Sequence, residues 1–563
     1  MRPLLRLPLL LLPALALLVA RPARAAAPVT VTVLQTSDVH GRLLPWDYSR
    51  ARPDDVGLAR IATRVAAIRR ETPNVLLLDG GDTIQGSPLG YLHARRPEGR
   101  KDPMSEAMSA MRYDAMAVGN HEFNYGLDVL RRAQADASFP WLSANTLNAA
   151  DRSPAFPEYV VKTFGKVRVG VLGLTTPNVP GWEPEKNRPG LTWEDPVETA
   201  RRLVPVLRGR ERCDVVVVLI HSGLEVDLAS GKPDDTAHEN RVAALARSVP
   251  GVDLILTGHT HRRLNLVRVE GVPVTQPGRW GEALARVDLK LARASGRWKV
   301  VEVTGELLPS DGSVPADPGI ERIAAPHHAR ALAHMEEVLA RAEEPLPAAA
   351  ARLGDSPLLD LVNEIQRSAA GSDLSMTSLL PGWSYAGLPA GEIRVRDVYA
   401  LYPYENELSV LEVDGAILRE CLENAAGFYA DAAWEAGRLV VKPKAGVPPY
   451  SFDAVQGVEY RIDPTAPLGA RVKDLTWKGR PVRPEDRFTL AVNAYRAQGS
   501  GGYVALKRAR VLRSASTEIR ELLMERLRQM GTVPATVDRN WVVAPDVVWA
   551  QPPGSPRSAA PVN

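Results

Sequence analysis

The sequence predicts two unlike domains: a layered α/β domain with mixed sheets and, after it, a separate α+β domain. Its 563 residues exceed what one hydrophobic core usually serves. From residue 29 to about residue 307, apolar runs alternate with helical stretches, and the last runs follow one another without intervening helices. This combination is typical of sheets that contain both parallel and antiparallel strands. The segment Pro345-Leu346-Pro347 and the alanine run after it mark a boundary.

Strands of the first domain are predicted from its short apolar runs. These runs are 31–35, 75–78, 115–118, 141–144, 167–174, 215–220 and 254–256. A helix is predicted at 57–70, because its apolar residues recur at helical spacing. Hairpin strands are predicted at 272–275, 283–291 and 298–307.

The chain divides into a leader and four further segments. Residues 28–317 form the first domain, and 318–351 are predicted as a linker helix that contains the charged helical stretch 319–344. Residues 352–547 form the second domain, with helices near 357–370, 415–428 and 517–529 and strands near 408–413, 455–462 and 488–492. Residues 548–563 are rich in Pro, Ser and Ala and are predicted to be disordered.

The first 25 residues have the pattern of an export signal. Arg2 and Arg6 precede a short apolar stretch, and Ala23-Arg24-Ala25 is a small-x-small cleavage site. The stretch is too short to span a bilayer, so we predict cleavage near Ala25, a periplasmic or secreted protein, and no stable membrane association. Removing the leader takes four arginines and no acid from a formal charge of +3, which leaves −1. A nucleic-acid polymer is therefore not an expected partner, and no protein partner is implied.

Five short segments of the first domain contain side chains of the types that bind metals. They are Ser37-Asp38-Val39-His40, Gly81-Asp82, Gly119-Asn120-His121-Glu122, Ile220-His221-Ser222 and Gly258-His259-Thr260-His261. Most follow an apolar run, so we expect these side chains at strand ends. A carboxylate can bridge two cations, whereas an imidazole cannot. The pattern predicts two divalent cations that share Asp82, and imidazole ligands favour manganese, cobalt, zinc or iron over magnesium or calcium. Such a pair is suited to hydrolysis at phosphorus.

These segments resemble the motifs of the calcineurin-like metallophosphoesterase superfamily, and the second domain resembles that of the secreted 5′-nucleotidase family. The resemblance implies a four-layer catalytic domain followed by a nucleotide-binding C-terminal domain. It also implies two metal-ion sites. One ion takes Asp38, His40, Asp82 and His261, and the other takes Asp82, Asn120, His221 and His259. In the family His121 is not a ligand; it contacts the phosphate and stabilises developing charge.

Several strings resemble the periplasmic 2′,3′-cyclic-nucleotide 2′-phosphodiesterase/3′-nucleotidase branch of this family. They include 81–89, 120–127, Pro277-Gly278-Arg279-Trp280-Gly281 and Tyr450-Ser451-Phe452-Asp453. Position 124 also favours that branch, because typical 5′-nucleotidases carry Asp there and this chain carries Asn124. An amide can orient His121 but cannot raise its pKa as a charge does. We therefore predict His121 and Asn124 as the catalytic pair.

The second domain is expected to bind the nucleobase. Tyr404 and Tyr495 match positions where relatives clamp a base between two rings, and Tyr503 is a further candidate. Stacking is worth roughly 1–3 kcal/mol per base and tolerates any base. The alternative is that these tyrosines only pack. The Asn-Gly-Gly-Gly-x-Arg string of typical 5′-nucleotidases is absent, and neither Arg394 nor Arg396 is assigned in its place.

The resemblance implies an exported enzyme that acts on nucleotides. It would open 2′,3′-cyclic nucleotides to 3′-nucleotides and dephosphorylate 3′-nucleotides to nucleosides. The nearest alternative is a 5′-nucleotidase or nucleotide-sugar hydrolase on the same scaffold, and a thiosulfohydrolase of the same architecture is more distant. The remaining alternative is a non-catalytic nucleotide-binding surface protein, which has no need of seven metal ligands.

Overall fold

The computed structural model describes residues 27–226, 239–294, 296–349, 351–382, 385–404, 406–445 and 447–550, except for the side chains of 514–516. The predicted leader and the predicted tail from residue 551 lie outside these ranges. Within the described ranges, no helix has the length and apolar character needed to cross a bilayer.

Two six-stranded sheets form the centre of the first domain. The strands of the first sheet lie in the order Arg297–Pro309, Ala283–Ala294, Val29–Thr36, Val75–Asp79, Ala115–Ala117 and Trp141–Leu142. Those of the second lie in the order Arg263–Val269, Val272–Pro277, Leu254–Thr257, Val215–His221, Val167–Thr175 and Tyr159–Phe164. In each sheet four neighbouring strands are parallel and the other pairings are antiparallel. The prediction of mixed sheets is confirmed.

The two sheets pack face to face, and helices cover their outer faces. Val33 and Val217 lie buried in the apolar layer between the sheets. Because side chains alternate along a strand, the neighbouring Leu34 and Val218 belong to the apolar layers beneath the helices. The covering helices are Leu58–Glu71 and Pro103–Ala110 on the first sheet, and Pro196–Gly209 and Val242–Ser248 on the second. The predicted four-layer architecture is confirmed.

Shorter elements complete the first domain. The helices are Pro88–Arg95, Leu127–Asp136 and Val179–Trp182, with 3-10 turns at His121–Phe123 and Glu185–Asn187. The remaining strands are Trp46–Asp47, Arg52–Pro53, Thr146–Asn148 and Leu191–Trp193.

A five-stranded sheet forms the centre of the second domain. Its strands lie in the order Asp453–Gln456, Leu374–Ser378, Arg487–Asn493, Glu407–Asp414 and Arg510–Glu518. The helices are Pro357–Ala370, Val395–Leu401, Gly415–Ala426, Ala494–Ala497 and Ile519–Met530, with 3-10 turns at Pro449–Ser451, Ser500–Gly502 and Val504–Arg508. Smaller sheets use Val338–Ala342, Leu346–Pro347, Gly387–Leu388, Gly391–Arg394, Tyr429–Glu435, Arg438–Pro443, Glu459–Ile462, Val472–Trp477, Arg480–Pro481, Thr532–Val533, Trp541–Val543 and Val547–Trp549.

Two local predictions are wrong at their boundaries. The helix after the first domain ends at Met335, and Val338–Ala342 is a strand that pairs with Gly391–Arg394 and Thr532–Val533. Residues 548 and 549, predicted as disordered, belong to the strand Val547–Trp549, which pairs with Arg438–Pro443. In both cases the pairing partners are distant in sequence, and a local pattern does not contain them.

The two domains share one apolar core. Tyr91 and Tyr125 of the first domain belong to the same buried cluster as Tyr399 of the second. Polar contacts also join the domains. They are the ion pairs Arg95–Glu518 and Lys186–Glu407, and a hydrogen bond from Gln498 Nε2 to the carbonyl oxygen of Trp182.

The buried carboxylate of Glu518 provides a test of this interface. Its side chain is 4% exposed, pairs with Arg95 and lies 3.5 Å from Nη2 of the buried Arg520. Replacing it (Glu518→Gln) removes the charge between two guanidinium groups, and we expect a loss of about 3 kcal/mol of stability. Thermal and urea unfolding measure this loss.

The control is Glu302→Gln, which breaks the exposed pair that Glu302 makes with Lys290. It should cost no more than about 1 kcal/mol. Equal unfolding midpoints for the two variants would contradict the expectation.

Candidate dinuclear metal site

The predicted ligands lie at the carboxyl ends of parallel strands from both sheets. Asp38 and His40 follow Val29–Thr36, and Asp82 follows Val75–Asp79. The other ligands come from the next strand of the first sheet and from two strands of the second. They are Asn120 after Ala115–Ala117, His221 at the end of Val215–His221, and His259 and His261 after Leu254–Thr257.

The structure brings these side chains together in two groups. The ligand atoms of Asp38, His40 and His261 lie within 4.8 Å of one another, and so do those of Asp82, His221 and His259. Asp82 Oδ2 lies 3.0 Å from His221 Nε2 and 4.0 Å from His40 Nε2, so this carboxylate stands between the groups. Asn120 Oδ1 lies 3.1 Å from His221 Nε2. Each group consists of side chains that the resemblance assigns to one ion.

The imidazole nitrogens have the arrangement that metal ligands need. His221 Nδ1 lies 2.7 Å from the carbonyl oxygen of Gly80, so Nδ1 carries a proton and leaves Nε2 for the site. His40 Nδ1 likewise lies 3.2 Å from the carbonyl oxygen of Gln85. Its Nε2 lies 3.1 Å from His261 Nε2. Imidazole nitrogens that face one another beside buried carboxylate oxygens form a donor set that fits two divalent cations.

The electrostatics of the two carboxylates agree with that fit. Burial raises the pKa of Asp38 to about 7, so the group needs nearby positive charge to stay ionised. Burial would also raise the pKa of Asp82, but His221 and His121 outweigh it and hold that pKa well below its usual range. Burial lowers the pKa of His221, yet Asp82 raises it to about 10. The site is therefore a place where positive charge is strongly stabilised.

Most of these ligands have a left-handed backbone. The φ angles are +52° at Asp38, +50° at His40, +58° at Asp82, +73° at His259 and +55° at His261. A side chain with a Cβ rarely adopts this region, and doing so costs of order 1–3 kcal/mol. The strand ends thus carry strain that points the ligands inward.

Two buried carboxylates outside the ligand set hold this backbone. Glu122 is fully buried and accepts hydrogen bonds from the backbone N–H groups of Asp82, Thr83 and Gly119. Asp79 accepts from the backbone N–H of Gly81 and so shapes the turn before Asp82. Glu122 belongs to the segment Gly119-Asn120-His121-Glu122, but no role is predicted for it from the sequence. Its place beside His121 in Gly-Asn-His-Glu was the available signal.

His121 lies beside the metal ligands with its ring open to the cleft. Its side chain is 37% exposed, whereas that of His221 is fully buried. His121 Nε2 lies 4.0 Å from Asp82 Oδ2, and Nδ1 lies 2.6 Å from Asn124 Oδ1. Asn124 Nδ2 in turn donates to Glu183, which the sequence analysis missed. Burial lowers the pKa of His121, but Asp82, Asn124 and Glu183 together raise it above its ordinary value.

Of the three predicted base-binding tyrosines, two are accessible. Tyr404 is 45% exposed and Tyr495 is 37% exposed, and Tyr450 packs edge-to-face against Tyr404 with the ring centroids 6.2 Å apart. The structure contradicts the prediction for Tyr503, which is 1% exposed. Its hydroxyl donates to the carbonyl oxygen of Ser451 and accepts from the backbone N–H of Asp453. Its ring therefore offers no face to a base.

The arginines near the missing Asn-Gly-Gly-Gly-x-Arg string have other contacts. Arg394 and Arg396 both pair with Glu336. Arg279 from the first domain lies closer to the metal ligands, with Nη1 3.4 Å from His261 Nδ1 and its guanidinium 3.9 Å from the centre of the Trp280 ring.

Comparison with known families agrees with this geometry. Residues 31–263 match the profile of the calcineurin-like phosphoesterase family, and residues 334–508 match that of the 5′-nucleotidase C-terminal domain. The first match contains every predicted metal ligand. It implies a dinuclear centre of divalent cations and a metal-dependent phosphoesterase.

Relatives match the chain over most of its length. It is 30% identical to the 2′,3′-cyclic-nucleotide 2′-phosphodiesterase/3′-nucleotidase of Salmonella typhimurium, over 94% of this chain and 91% of that protein. It is 29% identical to the trifunctional nucleotide phosphoesterase YfkN of Bacillus subtilis over 92% of its own length but spans 39% of YfkN. A solved structure of a 5′-nucleotidase candidate from Staphylococcus aureus, 29% identical, superposes with a TM-score of 0.78 over 92% of this chain and 100% of that one. The chain belongs to the calcineurin-like phosphoesterases that carry a 5′-nucleotidase C-terminal domain, as its motifs predicted.

Gly81 offers a test of how tightly the site is built. Its φ is +95°, and a Cβ there would lie 2.9 Å from His221 Nδ1 and 2.8 Å from the backbone nitrogen of Gly119. We expect Gly81→Ala to displace His221, to lower the bound metal measured by elemental analysis, and to destabilise the protein by about 2 kcal/mol.

Gly165→Ala is the matched control. Gly165 also has a positive φ, +61°, but no atom lies within 4 Å of its added Cβ. It shares the backbone strain without the crowding, so its metal content should equal that of the wild type. Equal loss of metal in both variants would show that crowding at His221 is not the cause.

Proposed function

We propose that this chain is an exported hydrolase that opens 2′,3′-cyclic nucleotides to 3′-nucleotides and dephosphorylates 3′-nucleotides to nucleosides. The observation that carries this proposal is the pair of ligand groups, with the Asp82 carboxylate 4.0 Å from His40 Nε2 of the other group and 4.0 Å from His121 Nε2. The similarity to the Salmonella typhimurium enzyme of that description supports the choice of substrate. The predicted leader supports export to the periplasm or the medium.

Two cations would be held by the residues of the two groups, with Asp82 shared between them and Asn120 completing the second. When bound, such a pair neutralises phosphoryl charge and acidifies a water for attack on phosphorus. The imidazole ligands support manganese, cobalt, zinc or iron as the ions. Glu122 and Asp79 keep the ligands oriented through the backbone bonds they accept.

His121 acts on the leaving group in this proposal. Its Nδ1 is held by Asn124, so Nε2 is the atom that faces the cleft. As the oxygen of water bonds to phosphorus and the bond to the ribose oxygen breaks, the ribose oxygen takes a proton from Nε2. A proton released by the attacking water then restores the imidazole.

One observation keeps the 5′-nucleotidase alternative open. In the sequence, Asn124 favours the cyclic phosphodiesterase branch because it lacks the charge of Asp. Glu183 supplies a carboxylate directly behind that amide, and it contributes to the raised pKa of His121. Position 124 alone therefore separates the two activities less sharply than the sequence suggests.

Turnover of defined nucleotides tests the proposal. We expect phosphate release from 3′-AMP and opening of 2′,3′-cyclic AMP, the latter measured by chromatography. Both reactions should occur with manganese or cobalt and should stop when a chelator is added. Turnover of 5′-AMP should be much weaker. A preference for 5′-AMP would establish the alternative, and a protein that neither binds metal nor turns over any nucleotide would be a binding protein.

The tyrosines give a separate prediction about the base. Tyr404→Ala and Tyr495→Ala should each raise the KM for 3′-AMP roughly tenfold, because one stacking face is lost. The KM for p-nitrophenyl phosphate, which has no base, should not change. Trp434→Ala is the control, since Trp434 is an exposed aromatic residue (61%) on the hairpin strand Tyr429–Glu435. Equal effects on both substrates would contradict a base-binding role.

A further inference from the structure

We propose that Glu183 is a positioning residue that fixes the proton on His121 Nδ1 by holding the amide of Asn124 in one orientation. This inference rests on the proposed function only for the role of His121 at the leaving oxygen. The orientation of Asn124 follows from the contacts alone.

Both carboxylate oxygens of Glu183 have hydrogen-bond donors. One accepts from Asn124 Nδ2, and the other accepts from Asn187 Nδ2 at 3.0 Å. Glu183 as a whole residue is 6% exposed. With a donor on each oxygen, the group is satisfied as a carboxylate, and a carboxylate can only accept.

The contacts of Glu183 fix the orientation of the Asn124 amide. Because Glu183 only accepts, the NH2 group of Asn124 must face it. Asn124 Oδ1 then faces His121 Nδ1 at 2.6 Å, and since this oxygen also only accepts, Nδ1 must carry a proton. With Glu183 ionised, the chain of contacts therefore allows a single arrangement of donors and acceptors.

The position of the proton on the His121 ring matters for the reaction. A ring with its Nδ1 proton fixed can give the proton on Nε2 to a leaving oxygen and remain a neutral imidazole. If the amide turned over, its NH2 would face Nδ1 and the only ring proton would lie on Nε2. Giving that proton away would leave an imidazolate anion, so a neutral ring in this arrangement is a far weaker acid. Glu183 excludes this second arrangement.

The surroundings of Glu183 keep it in place without using it for metal binding. Its own carbonyl oxygen accepts from Arg188 Nε at 2.9 Å. Asn187 Nδ2 also lies 3.3 Å from the carbonyl oxygen of Asn124. The segment that carries Glu183 is joined to the second domain through Lys186 and Glu407, whose ion pair measures 2.7 Å.

The test is a double-mutant cycle with two substrates on the metal-loaded protein. Glu183→Ala should lower kcat for 3′-AMP about 10- to 100-fold with KM changed less than about threefold, because an oriented charge-assisted hydrogen bond is lost. Turnover of p-nitrophenyl phosphate, whose leaving group needs no proton, should change little. In the His121→Ala background, Glu183→Ala should cause no further loss.

Glu185→Ala is the control, since Glu185 lies two residues away, is 67% exposed at its side chain and pairs with Arg188 at 2.8 Å. It should change kcat by less than about twofold. If Glu183→Ala does not fold, Glu183→Gln keeps the volume of the side chain, removes its charge and sets its one NH2 group against the NH2 of either Asn124 or Asn187.

A second measurement does not depend on turnover. In protein labelled with 15N-histidine, the His121 signals, assigned by their loss in His121→Ala, should show a protonated Nδ1 that becomes unprotonated or mixed in the Glu183 variants. Additive losses in the cycle, equal losses for both substrates, or an unchanged Nδ1 signal would overturn the positioning role. A wild type that hydrolyses no nucleotide would overturn the proposed function instead, and the Nδ1 signal would still decide the role of Glu183.

Discussion

The buried carboxylate of Asp82 is the constraint on which the centre of the molecule depends. It lies where the carboxyl ends of strands from two packed sheets converge, with its Oδ2 3.0 Å from His221 Nε2. Leaving such a charge unpaired in a buried place is costly. The backbone N–H of His121 donates to the carboxylate, and the imidazoles of His40, His121 and His221 surround it. Glu122 fixes the loops on both sides of this carboxylate. The sheet-on-sheet architecture is what brings these groups to one edge.

Much of the fold and of the metal centre could be predicted, because both follow from local patterns. Apolar runs set the strands, and the residue after each run had to lie at a strand end. The strand Val338–Ala342 could not be predicted in this way, because its partners lie more than 40 residues away or near the C-terminus. The exclusion of Tyr503 from base binding depends on packing around Arg496 and Asp453, which no spacing reveals.

Glu183 shows a different limit of sequence reasoning. It lies about 60 residues after Asn124, in a short segment without a motif of its own, and only folding brings it behind the amide. The same segment contacts a metal ligand through Trp182, whose ring centre is 5.3 Å from that of His259, and contacts the second domain through Gln498. His121, a predicted metal ligand and the second domain therefore meet at one short stretch of chain.

The left-handed backbone at the ligands has a consequence for anyone who engineers this protein for heat resistance. Glycine adopts such φ angles at a lower energetic cost than aspartate or histidine. A screen that scores stability alone will therefore select glycine substitutions at the predicted ligand positions. Every gain made there removes a metal donor. A search for stabilising changes should therefore keep these loops fixed and look to the outer helices and exposed strands, where no such conflict between durability and activity exists.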